Sequence, residues 1–383
     1  TLPYAALNLV FNGGDSLLAE NDQGLAAFTA SLLTKGTYQL GAPDVQRFLS
    51  DRAASLNAAS GRLTFSLSLD APTRFLSDMF SLLRDTVSAP AMKEEEAARV
   101  RDNQIAAIVA SEDQPTGLAF RRLFPFLFSA HPYGYVSLGQ KDRVAAFSSE
   151  EARAFWARQS GQPWALSVCG SFDRDLVLEM AARLPAPQQE KSSPEAPVWN
   201  LEKELELRLP GRNQAHYFMV FPTVGYDDED EPGLDLLRDI LAGQSGLLFR
   251  DLRDKQGLGY TVTAFPWKSE KSGALIFYIG TEADKVTQAD EGFRKIAASL
   301  RSDLLPEAEL ERGKNQMSAD YYREHQSLGS RSAEAAMLTA LGRPLGASRE
   351  LVDKAKKLEA KQLRDLAQKY LDPARAYIVK VLP

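Results

Sequence analysis

The feature that most constrains this chain is that its second half repeats the order of its first. The first half opens on Tyr4–Phe11, in which Leu7, Leu9 and Phe11 share one strand face. A Gly/Asn/Asp-rich loop leads to a helix predicted from Asp22 to Lys35, with Asp22 as N-cap, Gly36 as the stop, and Leu25, Phe28, Leu32 and Leu33 as the apolar stripe. Arg62–Leu69 alternates, so Leu63, Phe65, Leu67 and Leu69 point inward from a strand. A helix over Thr73–Val87, a long charged helix over Met92–Ser111 and a strand at Trp164–Gly170 complete the unit.

The second half runs through the same order. A strand at Ala215–Phe221 and an acidic loop precede a helix through Gly233–Leu241, whose start mirrors Gly24-Leu25. Strands follow at Gly257–Phe265 and Ala274–Thr281, then helices at Gln288–Arg301 and Pro306–Glu324, a last helix, and a strand at Ala376–Leu382. The expected fold class is therefore α+β: two homologous domains, each an antiparallel-rich β-sheet with helices packed on one side. The domains are drawn at residues 1–184 and 201–383. The linker is 185–200, because Pro185–Pro197 has no face to bury and is stiffened by proline.

Composition narrows the partners. The 383 residues include 45 Lys and Arg against 51 Asp and Glu, a net charge of −6, so no basic stripe offers itself to nucleic acid. At 44% hydrophobic residues, two cores can be filled. The uncharged apolar runs fall short of the roughly 18 residues of a membrane span. The single cysteine, Cys169, rules out an internal disulfide and reads as an inert thiol buried in its strand. The chain opens on a strand-like segment without a signal peptide, which fits a mature or trimmed form.

Few residues are placed to do chemistry. His131, His216 and His325 lie in separate segments without metal-ligand spacing, so each reads as structural. Asp227–Glu231 lacks the alternation and central glycine of a calcium loop and reads as solvated. No Gly-x-Ser-x-Gly elbow occurs, and Cys169 has no histidine nearby in sequence, so nucleophilic catalysis lacks support. The aromatic run Phe120–Tyr135 reads as core. The most functional-looking segment is Gly243–Val262, predicted as a helix from Ser245 to Gly257 followed by a strand. Arg253 and Tyr260 on these adjoining elements can converge on a peptide carbonyl and stabilise its oxyanion. On residue type alone, a surface arginine paired with Asp254 or Asp251 and a core tyrosine is the simpler reading.

Leu252-Arg253-Asp254-Lys255-Gln256-Gly257-Leu258-Gly259-Tyr260 resembles the Leu-Arg-x-Lys-x-Gly-Leu-x-Tyr segment of the pitrilysin and mitochondrial-processing-peptidase (inverzincin) zinc metallopeptidases, in their non-catalytic half. Gly24–Thr37 is similar to that family's zinc helix, with the His-x-x-Glu-His side chains replaced. The two histidines fall at Ala27 and Ser31, the glutamate at Ala30, and the final ligand on the long helix at Ala107. Further likeness lies in Ser129–Gly134 with Leu138-Gly139, in Ser148–Trp156 and in Val168–Asp173. Leu56–Ser60 resembles the edge strand that pairs with substrate in catalytic halves, so Asn57 and Ala58 are possible peptide contacts, or else part of an ordinary edge strand.

The resemblance implies one half of a clamshell peptidase: a metal-free chain, without hydrolytic activity alone, whose Arg253 and Tyr260 assist a partner's site. The partner is a His-x-x-Glu-His half carrying zinc, either a separate chain or part of a longer polypeptide, and the substrate is a peptide. The resemblance also implies a bacterial periplasm or envelope location. A second reading is an inert scaffold or binding subunit of a larger assembly, in which Arg253 and Tyr260 are relics.

Overall fold

The computed structural model describes residues 3–191 and 193–383; Thr1, Leu2 and Ser192, the last within the expected linker, lie outside the described residues. In chain order the first half holds β1 (Tyr4–Asn12), α1 (Leu25–Leu33), α2 (Ala42–Asp51), β2 (Ser55–Ser60), β3 (Thr64–Pro72) and α3 (Leu76–Ser88). It continues with α4 (Glu94–Glu112), α5 (Pro115–Leu127), α6 (Lys141–Ala145), α7 (Ser149–Ser160), β4 (Trp164–Gly170) and α8 (Arg174–Ala181). The second half holds β5 (Glu204–Arg208), β6 (Gln214–Thr223), α9 (Glu231–Leu241), a π-helix (Phe249–Lys255), β7 (Gly259–Lys268) and β8 (Gly273–Glu282). It ends with α10 (Val286–Ser302), α11 (Glu307–Glu324), α12 (Leu328–Ala340), α13 (Ala347–Ala355), α14 (Ala360–Tyr370) and β9 (Tyr377–Leu382).

The chain divides into two compact units, each drawn from non-contiguous segments. One comprises Thr1–Ala110, Ala130–Pro194 and Glu324–Leu345; the other comprises Ser111–Ser129, Glu195–Arg323 and Gly346–Pro383. A helix from each half is thus exchanged. The first unit receives α12, and the second receives α5.

In the first unit the strand order is β2-β3-β1-β4, antiparallel throughout. The register Leu7↔Leu69, Leu9↔Leu67, Phe11↔Phe65 gathers these side chains on one face. There they pack with Phe28 of α1, Leu83 of α3 and Phe155 and Trp156 of α7. The other face, with Asn8, Val10 and Asn12, is covered by α12. Val10 packs with Ala336 and Ala340, and Asn12 Nδ2 donates to the Ala340 carbonyl at 2.8 Å. Small residues let this helix approach a polar sheet face, and the buried amide is satisfied.

Several local expectations shift. β3 begins at Thr64, because the carbonyls of Gly61, Arg62 and Leu63 instead accept the amides of Asp15, Ser16 and Gly13. Asp22 lies in a 3₁₀ turn and pairs with Arg143 at 3.0 Å, so it does not cap α1. The N-cap is Gly24 at φ 94°, where a Cβ would stand 2.7 Å from Gly139 Cα. Cys169 is half-buried, since β4 is an edge strand.

The second unit has the order β5-β9-β6-β8-β7, antiparallel except for the β5–β9 pair. Tyr217, Met219 and Phe221 pack with Leu237 and Ile240 of α9, Phe293 of α10 and Leu363 of α14. On the opposite face Phe120 of α5 meets Phe218 edge-on at 5.6 Å, and Phe128 sits 4.6 Å from Trp199 and 5.1 Å from Trp267. Of the stretch 120–128, Leu123, Leu127 and Phe128 are core, in the unit built mainly from the second half, while Phe124 and Phe126 are half-buried and Phe120 is exposed. Each fully buried phenylalanine there contributes about 1.5–3 kcal/mol. The acidic run is only partly solvated: Asp228 and Glu229 are exposed, but Glu231 opens α9 and is buried 2.8 Å from Lys268 Nζ.

Candidate functional site

Two places in the chain answer to the sequence-predicted site residues, one in each unit. In the first unit, Ala27 and Ser31 lie one turn apart on α1, half-buried and exposed respectively, while Ala30 is buried. Gln104 of α4 ties the two helices together: its Nε2 donates to the carbonyls of Gly24 at 3.1 Å and Leu138 at 2.9 Å. Ala107, one turn further along α4, is exposed. Three alanines and a serine supply neither the imidazole and carboxylate donors that zinc needs nor a general base. The site does not fit the metal.

The edge strand β2 packs beside α1, with Asn57 exposed and Ala58 half-buried; they pair inward with Ser68 and Leu67 of β3. Its outer edge carries no strand partner among the described residues. Among the described residues, no three His, Cys, Asp or Glu side chains gather as metal ligands would.

The histidines each have a structural contact. His131 Nδ1 accepts the Tyr133 amide at 3.1 Å, and His325 contacts Glu334. His216 Nδ1 and the Tyr278 hydroxyl are 2.8 Å apart. Burial pushes the His216 ring below its ordinary range and Tyr278 up to about 12.

The second place is the corner between the π-helix and β7. Helical structure starts at Leu247, later than expected, and the stretch Phe249–Lys255 is wound as a π-helix. Leu252 anchors it by packing against Gly292 of α10, where a Cβ would come within 2.3 Å of Leu252 Cδ2. After Gly257, at φ 63°, the chain enters β7 and the register with β8 slips between Gly259 and Thr261. Tyr260 is the extra residue of that β-bulge. Two neighbours hold the bulge. Thr281 Oγ1 donates to the Leu258 carbonyl, and Gly259 lies so close to β8 that a Cβ would meet the Gly280 oxygen at 2.4 Å.

The bulge leaves Tyr260 77% exposed, so it fills no core. Arg253 reaches over it. Its Cζ lies 4.8 Å from the Tyr260 ring centre and 4.4 Å from that of Phe249. Lys255, not Arg253, takes Asp251, at 3.0 Å. Among the described residues the Arg253 guanidinium makes no ion pair or hydrogen bond, and neither does the Tyr260 hydroxyl. Two aromatic rings thus hold a charged five-donor fork beside a free phenol. Phe249, the π-winding and the bulge were missed in the sequence. The glycines at 257 and 259, flanking Tyr260, were the available signal.

Fold and site together define a two-domain α+β protein with no imidazole or carboxylate at Ala27, Ala30, Ser31 or Ala107. The description "Peptidase M16 inactive domain" matches residues 153–317, and "Insulinase (Peptidase family M16)" matches residues 2–139. The chain belongs to the peptidase M16 family, as a pitrilysin-like, inactive member. It is similar to the "Non-peptidase homolog YmxG" of Helicobacter pylori, 22% identical over 97% of this chain and 87% of that protein. It is also similar to the "Uncharacterized zinc protease YmxG" of Bacillus subtilis, 24% identical over 77% of this chain and 72% of that protein. The crystal structure of a peptidase M16 inactive domain from Pseudomonas fluorescens superposes with a TM-score of 0.91 at 19% identity, covering 100% of this chain and 93% of the other. Among the described residues, no helix is long and apolar enough to cross a membrane.

Proposed function

We propose that this chain is the non-catalytic half or subunit of a pitrilysin-like zinc metallopeptidase, lending Arg253 and Tyr260 to a peptide bound at a partner's zinc site. The observation that supports this is the pair at the bulge: a half-buried guanidinium over the rings of Phe249 and exposed Tyr260, with its donors uncommitted. The Arg253 N–H groups donate to the carbonyl oxygen of the bound peptide and fix its orientation. As that oxygen gains charge during attack on the carbonyl carbon, the Tyr260 hydroxyl donates to it as well. Both donors are pre-set, so little reorganisation is needed. The metal and the general base belong to the His-x-x-Glu-His partner, either a separate chain or another part of a longer polypeptide. The edge of β2, at Asn57 and Ala58, offers a second contact to extended peptide by strand addition.

The second reading, an inert scaffold or binding subunit, is favoured by the replacement of every ligand position and by the likeness to a relative named a non-peptidase homologue. Peptide cleavage by this chain mixed with its partner separates the two. Arg253→Ala and Tyr260→Phe should each lower the turnover number, by up to about 10²–10³-fold for the stronger donor. Unchanged turnover in both variants rejects the assisting role and leaves the scaffold.

A further inference from the structure

A cavity of about 520 Å³ lies between the π-helix, α10 and the α10–α11 connection. That is the size of small-molecule sites, which span roughly 300–1,000 Å³. Leu247, Asp251 and Lys255, spaced by four along the helix, belong to its wall. Arg253 falls between them in sequence and is not part of the lining, so the cavity is distinct from the Arg253–Tyr260 corner.

The lining has two characters. Leu247, Ile296, Leu300, Leu304, Leu305 and Pro306 form its apolar part, from buried Ile296 and Leu300 out to Leu304, which is 56% exposed. Arg250, Asp251, Lys255, Lys295 and Asp303 form a charged rim. Nearly all of that charge is committed. Arg250 pairs with Glu309 at 2.7 Å, Lys255 with Asp251 at 3.0 Å, and Asp303 accepts from the hydroxyls of Ser299 at 3.2 Å and Ser302 at 3.0 Å. Lys295, exposed on α10, is the one rim cation with no ion pair or hydrogen bond among the described residues. A cationic occupant would find both carboxylates taken. An anionic one finds an ammonium waiting above a hydrocarbon floor.

We propose that this cavity binds a small amphipathic monocarboxylate, its apolar body on Leu300 and Leu305 and its carboxylate on Lys295. Because one wall is the π-helix, occupancy stiffens the element that also carries Arg253, so ligand binding is legible in the backbone there.

Decanoate, titrated into the whole chain below its micelle concentration, tests the proposal, with decyltrimethylammonium as the opposite-charge control. The expected result is saturable decanoate binding, weakened about tenfold or more in Lys295→Glu and largely retained in Lys295→Arg. Leu300→Trp, which fills the floor, should abolish binding. Amide exchange should slow in 247–255 and along α10 when decanoate is present. Should Leu300→Trp fail to fold, Lys295→Glu on the exposed rim decides alone. The proposal is overturned if decanoate does not bind, if Lys295→Glu binds it as tightly as the unaltered chain, if the cationic control binds equally, or if exchange slows only elsewhere.

Discussion

In each unit a helix leads into an edge strand that pairs with the next strand in sequence, α2–β2–β3 in one and the π-helix–β7–β8 in the other, and the two copies are built differently. In the first, α2 is an ordinary α-helix and β2 pairs with β3 from Ser55 to Ser60 without a slip. In the second, the helix is π-wound and β7 carries a bulge at Tyr260. Regular winding and pairing make the better hydrogen bonds, so irregular backbone in one copy of a repeat marks where side-chain direction matters more than backbone economy. The helices that follow the first strand of each unit differ in a parallel way. α1 has no ionisable side chain, whereas α9 carries Glu231 and Asp235, both held by Lys268 of β7 at 2.8 Å. The first of these helices carries no charge toward its sheet, and the second is tied to β7 by two.

That contrast can be broken in three places. The largest effect should come from Lys268→Met. Burial alone would lower the Lys268 pKa, but Asp235 and Glu231 together hold it above its ordinary value, so the lysine is charged and its removal takes the shared cation from two buried carboxylates, of which Glu231 keeps the Asp227 amide. Thermal or denaturant unfolding should show a loss of about 3–5 kcal/mol. A loss near zero would mean that the triad does not hold β7 to α9.

A smaller effect is expected from Gly259→Ala, whose Cβ would meet the Gly280 oxygen at 2.4 Å. The bulge must then shift, at a stability cost of about 1–3 kcal/mol. On the proposed function, cleavage at the partner's site should fall with it, because Tyr260 is re-aimed. Full stability together with full activity would show that the bulge directs nothing.

The smallest effect belongs to the first unit. Glu94 accepts the Ser149 amide and Arg101, which hold its carboxyl at about 2, below the ordinary 4.5. A depressed carboxylate adds stability that is complete above about pH 4.5 and disappears as pH falls toward about 2. Melting curves of Glu94→Gln should therefore lie below those of the unaltered chain above that window and converge with them inside it. The gap should be small, since the side chain is 56% exposed and screened by solvent. Curves that stay parallel through the window would remove Glu94 from the acid response.

The ladder Leu7, Leu9, Phe11 against Phe65, Leu67, Leu69 could be read from period-two alternation, and β4 was placed at Trp164–Gly170 to the residue. The residue types at Ala27, Ala30, Ser31 and Ala107 were equally plain, because a side chain either has an imidazole or carboxylate donor or lacks one. Asn8 and Asn12 were harder. Their alternation marks a solvent face, yet α12, more than three hundred residues away in sequence, buries them. The matching face of β6 was easier to read, since Tyr217–Phe221 is apolar on both sides.

The amino-acid order by itself determined the repeated order of elements, the strand faces and which side chains carry donor atoms, because periodicity and donor chemistry are local. Only the tertiary structure decided which helix covers which sheet, that Tyr260 stands on a bulge, and that Arg253 is left with its donors free. Those outcomes depend on strand register and on contacts between distant segments, where a shift of one residue turns every side chain to the other face.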